Sequence, residues 1–97
     1  MSPSEFTVSL GADAPPASLS PPLAALWWLS NNHWQRAHDL IDAEAGSAAA
    51  WVHAHLHRIE GDHANARYWY ARAGRDLPTY GLTRELEILL ENLLPGG

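Results

Sequence analysis

An all-α domain of about five helices is the fold class this sequence predicts, and three observations predict it. Start and stop signals recur at helix-length intervals: Ser20-Pro21-Pro22, Asn31-Asn32, Gly46-Ser47, Gly61-Asp62, Gly74 and Pro78. Near the C-terminal end, Leu86, Leu89, Leu90 and Leu93 recur at three- and four-residue spacing, which puts them on one helix face. Beyond residue 19 no segment alternates convincingly with β-branched residues. The nearest exception, VHAHLH, lies between alanine-rich flanks with strong caps on both sides, and it reads as helix.

Residues 1–19 are rich in Pro, Ser, Ala and Gly and read as a flexible N-terminal arm. Within it Phe6 to Leu10 has strand character, but a lone strand finds no partner in a helical domain. Residues 20–97 form the single domain. Ser20 offers a capping hydroxyl and Pro21-Pro22 a first turn, so the first helix runs to about Ser30. Asn31-Asn32 make a tight turn. The second helix spans about His33 to Ala45, with Gly46 as its terminator. Ser47 caps the third, which runs to about Glu60. Gly61 ends it, and Asp62 caps the fourth, His63 to Ala73, with Gly74 after it. Pro78 and Gly81 break the connector. The fifth helix covers about Thr83 to Leu94, and Pro95 and two glycines close the chain. Its opposite face, with Arg84, Glu85, Glu87 and Glu91, reads as solvated.

Ninety-seven residues make one modest domain, and a hydrophobic fraction of 46% argues against wholesale disorder. The absence of cysteine excludes disulfides, thiolate nucleophiles and Cys-ligated zinc. The net charge is −5, and the six basic residues are arginines spread along the chain. Nucleic-acid binding needs a clustered basic footprint, and anionic membranes are disfavoured for the same reason. No apolar run is long enough to span a bilayer. The N-terminal stretch lacks the basic and apolar regions of a secretory signal. The expectation is a cytoplasmic protein that binds neither nucleic acid nor membrane.

An internal repeat runs through the helices. Asn32–Ile41 aligns with Gly61–Tyr70 at an offset that pairs Ala37 with Ala66, Ala25 with Ala54, Trp28 with His57, and Ile41 with Tyr70. Small residues at matched points let two helices approach, and large ones fill the space between them. The stretch GDHANARYWYARAG resembles the second helix of tetratricopeptide and Sel1-like repeats through its Gly-Asp turn, Ala66, Tyr70 and Ala73, with Ala54 where that pattern wants a small residue. The resemblance covers residues 21–74. It departs at Asn32, where the pattern has glycine, and at Glu44, where it has alanine. The repeat is also shorter than the roughly 34 residues usual for tetratricopeptides. The combination of Trp34, Ala37-His38, Trp51, His53-Ala54, Leu56-His57-Arg58, Glu60-Gly61-Asp62 and Asn65 to Tyr70 is similar to a group of short bacterial helical proteins of uncharacterised function, over residues 25–75. These resemblances imply two tetratricopeptide-like hairpins and a C-terminal helix that caps the open end. They imply protein binding and bring no activity.

The most chemical stretch is HAHLH. On a helix of 100° per residue, Trp51, Val52, His55, Leu56 and Ile59 share one face, and His53, His57 and Glu60 the opposite one. An i, i+4 histidine pair can chelate a divalent metal, Glu60 can add an oxygen, and His38 can supply a third nitrogen from the second helix. The competing reading is structural: His57 takes the position of an aromatic in the repeat and is a packed, hydrogen-bonded ring. If His57 is packed between the third and fourth helices with its ring nitrogens bonded to protein, the interaction reading stands; if His38, His53 and His57 converge on one cavity, the ligand reading gains. No nucleophile, oxyanion hole or phosphate loop accompanies the histidines, so no catalytic residue is assigned.

Five tryptophans suit the core of a small helical domain. The adjacent pair Trp27-Trp28 cannot both face one core, nor can Tyr68, Trp69 and Tyr70. An exposed aromatic beside arginine is a hot-spot composition, so Trp27, Arg58, Arg67, Tyr68 and Trp69 are candidates for contact with a protein partner or a second copy. The expected function is therefore protein–protein interaction, with metal or ligand binding at His53, His57, Glu60 and His38 as the alternative.

Overall fold

The computed structural model describes residues 1–95; Gly96 and Gly97 lie outside it. Its described residues form six helices and no strand: α1 Pro3–Ser9, α2 Pro21–Ser30, α3 Trp34–Asp42, α4 Ser47–Ile59, α5 His63–Ala73 and α6 Leu82–Leu93. The expected class is thus correct at the level of all-α, and the helix count is six rather than five.

The additional helix falls in the segment expected to be an arm. Ser2 accepts a hydrogen bond from the Glu5 amide while Glu5 accepts one from the Ser2 amide, a reciprocal capping box reinforced by Pro3. Phe6 anchors this short helix and is only 1% exposed. α1 packs against α6. One buried aromatic side chain and a capping box order a stretch whose composition alone reads as loop.

Two antiparallel hairpins form the body, α2 with α3 and α4 with α5. Their turns are built alike. At the first, the His33 amide bonds the Trp28 carbonyl and the Asn32 amide bonds the Leu29 carbonyl. At the second, the Asp62 amide bonds the His57 carbonyl and the Gly61 amide bonds the Arg58 carbonyl. These are Schellman closures, and each needs a left-handed residue at its centre. Asn32 (φ 66°) and Gly61 (φ 78°) fill that place. Asparagine tolerates this conformation better than most side chains, so it can stand where the resemblance expects glycine.

Local ends depart from expectation in three places. α3 stops at Asp42, and Gly46 (φ 102°) caps α4 instead of closing α3. Ser47 is the first helical residue, and Ser20 makes no side-chain cap bond. Asp62 does cap α5, accepting from the Asn65 amide.

α4 is the axis of the structure and packs against α2, α3, α5 and α6. Every residue from Ala49 to His57 is buried. Ala49, Ala50 and Ala54 allow the close approach of neighbours, and Trp51, Val52 and Leu56 fill the space between them. The leucine face of α6 closes the core, with Leu89 and Leu90 buried and Leu86 and Leu93 packed at its edge. Among the described residues no helix is long and apolar enough to cross a membrane.

Candidate functional site

Because α4 is enclosed on all sides, its alternating histidines serve two different neighbourhoods. His55 faces α5 and α6. Its Nδ1 donates to Oε1 of Glu85 at 2.6 Å. The same oxygen accepts from Arg58 at 3.0 Å. The other oxygen accepts from Trp51 Nε1 at 3.2 Å and from the Tyr70 hydroxyl. Arg58 also donates to the Tyr80 carbonyl. Glu85 is 0% exposed, so the expectation that it lies on a solvated face is wrong. It stands one turn before Leu89 and enters the core on the leucine face.

Burial alone would raise the Glu85 pKa. The donors from His55 and Tyr70, the electrostatic attraction of His55 and the Arg58 donor outweigh burial and hold it at about 2. Burial, followed by the bond to this carboxylate, pushes the Tyr70 hydroxyl well up. The cluster joins α4, α5 and α6 through one anion.

His53 and His57 face the other way, towards α3. There His38, on α3, brings its Nε2 to 3.1 Å from Nε2 of His53, so one ring carries the proton and the other accepts it. The rings of His53 and His57 stack at 5.0 Å, and His38 meets both edge-on at 4.8 and 5.3 Å. One nitrogen from each of the three histidines lies within 4.8 Å of the others. Two tryptophans wall the cluster. Trp69 lies flat on His53 with centroids 3.9 Å apart, and Trp34 lies flat on His38 at 5.0 Å. Trp34 is fixed by its own bond from Nε1 to the Leu56 carbonyl at 2.9 Å.

Burial, reinforced by the neighbouring imidazoles of His38 and His57, lowers the His53 pKa to about 4. Its ring is therefore neutral at neutral pH and keeps a lone pair. His57 donates from Nδ1 to Oε1 of Glu60 at 2.6 Å. That bond fixes the tautomer and leaves Nε2 as the free ligand atom. Glu60 thus engages the outer nitrogen of His57, with Asp62 close by as a second grouping around the same ring.

Of the four residues expected to bind metal, His38, His53 and His57 converge, whereas Glu60 lies on the far side of the His57 ring, bonded to its Nδ1, and does not join them as an oxygen ligand. The interaction candidates divide. Trp27 is 1% exposed, and its indole donates to Ser9, so it belongs to the core. Its neighbour Trp28 is the part-exposed member of the pair, with Arg36 over its ring at 4.3 Å. Arg58 is held by Glu85 and is not a free surface group. Trp69 is part-buried on His53. Tyr68 and Arg67 are exposed.

Sequence reasoning missed the Glu85 hub and the tryptophan walls. The signal for Glu85 was its place four residues before Leu89. For Trp34 it was the i, i+4 spacing to His38. In comparison with known proteins, no family model, curated protein or solved structure matches the chain.

Proposed function

We propose that this protein binds a divalent transition-metal ion through His38, His53 and His57. The observation that supports this reading is the convergence of three imidazoles from two helices inside an aromatic enclosure. Three imidazoles have no need of one another for packing. A packing role would be met by one aromatic and two aliphatic side chains without polar nitrogens to satisfy. In a tetrahedral site with metal–nitrogen bonds of about 2.0–2.1 Å, ligand nitrogens stand about 3.3 Å apart. The His38–His53 separation of 3.1 Å is already near that value. Glu60 plays the part of the outer carboxylate that orients a metal-bound histidine. An all-imidazole set suits zinc, copper, nickel or iron and not magnesium or calcium.

Thermal unfolding of chelator-treated protein tests this, with Zn²⁺, Ni²⁺, Co²⁺ or Mg²⁺ added separately. An ion that binds only the folded state, at 100 times its Kd, adds about 2.7 kcal/mol. Zn²⁺ should raise Tm and Mg²⁺ should not. His38→Ala, at a part-exposed position, should remove the rise while leaving the fold intact. The proposal fails if no transition metal moves Tm.

A second reading, a tetratricopeptide-like protein-interaction module, is supported by one surface observation. Tyr68 is 53% exposed, with the Arg72 guanidinium near its ring at 5.7 Å and Trp69 edge-on at 5.1 Å. Aromatic and arginine side chains grouped this way form effective anchors. Sedimentation equilibrium tests the form in which the partner is a second copy. Self-association that Tyr68→Glu abolishes supports it, and a monomer at every concentration excludes it.

A further inference from the structure

We propose that a cavity between α4, α5 and the connector to α6 binds a small organic carboxylate, its charged head on Arg58 and Arg67 and its apolar body on Leu77 and Pro78. The cavity measures about 260 Å³. Arg58, His63 and Arg67 line it with nitrogen groups, Leu77 and Pro78 line it with apolar ones, and no acidic side chain lines it. None of the three clustered histidines reaches it, so the site is independent of the metal-binding reading.

The two arginines play different parts. Arg58 is fixed in place, since it donates to Oε1 of Glu85 and to the Tyr80 carbonyl. A guanidinium has five N–H groups, so Arg58 keeps donors for a ligand while the Glu85 carboxylate balances its charge. Arg67 is exposed and, among the described residues, its guanidinium has no hydrogen-bond, ion-pair or ring partner. Each of the other arginines has one. Arg84 pairs with Glu87 and Glu91, and Arg36, Arg72 and Arg75 lie over the rings of Trp28, Trp69 and Trp51. The chain carries a net charge of −5, so acids are plentiful. Its one unpartnered arginine nevertheless faces a cavity that contains none.

Charge and shape together define the ligand. With Glu85 balancing Arg58, Arg67 leaves a single uncompensated guanidinium charge, which suits a monoanion. Paired guanidinium N–H groups match the two oxygens of a carboxylate. Leu77 is 51% exposed beside them. Covering it and Pro78 with an apolar body removes that surface from water, a gain that a bare inorganic anion cannot make. Pockets for drug-sized ligands run to about 300–1,000 Å³, so this smaller one fits a single ring or a short alkyl chain.

The test is a titration followed by amide ¹H–¹⁵N spectra. Benzoate is the probe, benzamide its neutral isostere, and inorganic phosphate the anion without an apolar body. In wild type, benzoate should give saturable shifts at His63, Arg67 and Leu77, and benzamide and phosphate should bind at least tenfold more weakly. Arg67→Gln removes the unpaired charge at an exposed position. It should keep the melting temperature within a few degrees and weaken benzoate at least tenfold. Leu77→Ser should weaken benzoate severalfold and leave phosphate unchanged. The proposal is overturned if benzoate gives no saturable shift in the millimolar range, if benzamide binds as well as benzoate, or if Arg67→Gln keeps wild-type affinity. Phosphate binding as tight as that of benzoate overturns the organic carboxylate as the ligand.

Discussion

Glu85→Gln keeps the volume of the buried side chain and removes its charge. The carboxylate accepts from His55 and Arg58 on one oxygen and from Trp51 and Tyr70 on the other. An amide cannot satisfy both pairs, because its NH₂ faces one of them and has nothing to accept with. Each buried donor left without a partner costs about 1–3 kcal/mol. Glutamine should therefore destabilise by at least about 2 kcal/mol. Glu85→Ala removes the anion outright and strands Arg58 beside a buried imidazole. Breaking a buried ion pair from one side costs about 3–5 kcal/mol. In a domain of this size each kcal/mol moves Tm by about 4–8 °C, so alanine should lower it by more than about 12 °C. Urea unfolding followed by tryptophan fluorescence gives the free energies. Acidity provides an independent check. The Glu85 pKa is depressed in the folded state, so its contribution is fully present above its usual value near 4.5 and is lost as pH falls towards about 2. That contribution is about 3 kcal/mol. Wild type should lose stability through this window, and Glu85→Gln should lose less. If both substitutions cost under about 1 kcal/mol and the acid limb is unchanged, Glu85 does not hold α6 to the core.

Phe6→Ala should cost about 3 kcal/mol or more, as expected for a fully buried aromatic, and denaturant unfolding reads it directly. A loss under about 0.5 kcal/mol would mean that α1 does not dock in solution. Gly61→Ala should cost roughly 1 kcal/mol from backbone conformation alone, since a Cβ there meets nothing within 4 Å. The matched Asn32→Gly should be neutral or slightly stabilising in the same assay. Glu60→Gln should weaken Zn²⁺ binding about 10- to 100-fold without moving the apo melting temperature, because the bond it weakens orients His57. Equal affinity in calorimetry would remove Glu60 from the site.

The helical class and four of the inter-helix turns were legible because caps and breakers act locally. Asp62 before α5 and Gly74 after it (φ 71°) are read from one or two residues each. That His38 could join His53 and His57 was legible from helix periodicity, which puts each on a defined helix face; that α3 of one hairpin packs on α4 of the next with those faces together was not. α1 was not legible. Its order depends on Phe6 finding a place beside α6, a contact made across most of the chain. Glu85 was misread for a related reason. An acid on a helix reads as solvated unless the donors that neutralise it are known, and they come from α4 and α5. Trp27 was misread because sequence says that one of two adjacent tryptophans turns outward, but not which one.

The most direct test of the histidine site is a long-range ¹H–¹⁵N spectrum of the imidazole rings, recorded before and after one equivalent of Zn²⁺. Six histidines report separately. Nε2 of His38, His53 and His57 should move to metal-bound values, while Nδ1 of His57 stays protonated against Glu60. His55, tied to Glu85, and the exposed His33 and His63 should stay where they were. If the three clustered rings are unmoved, or only His33 and His63 respond, the site does not bind metal and the cluster is packing alone.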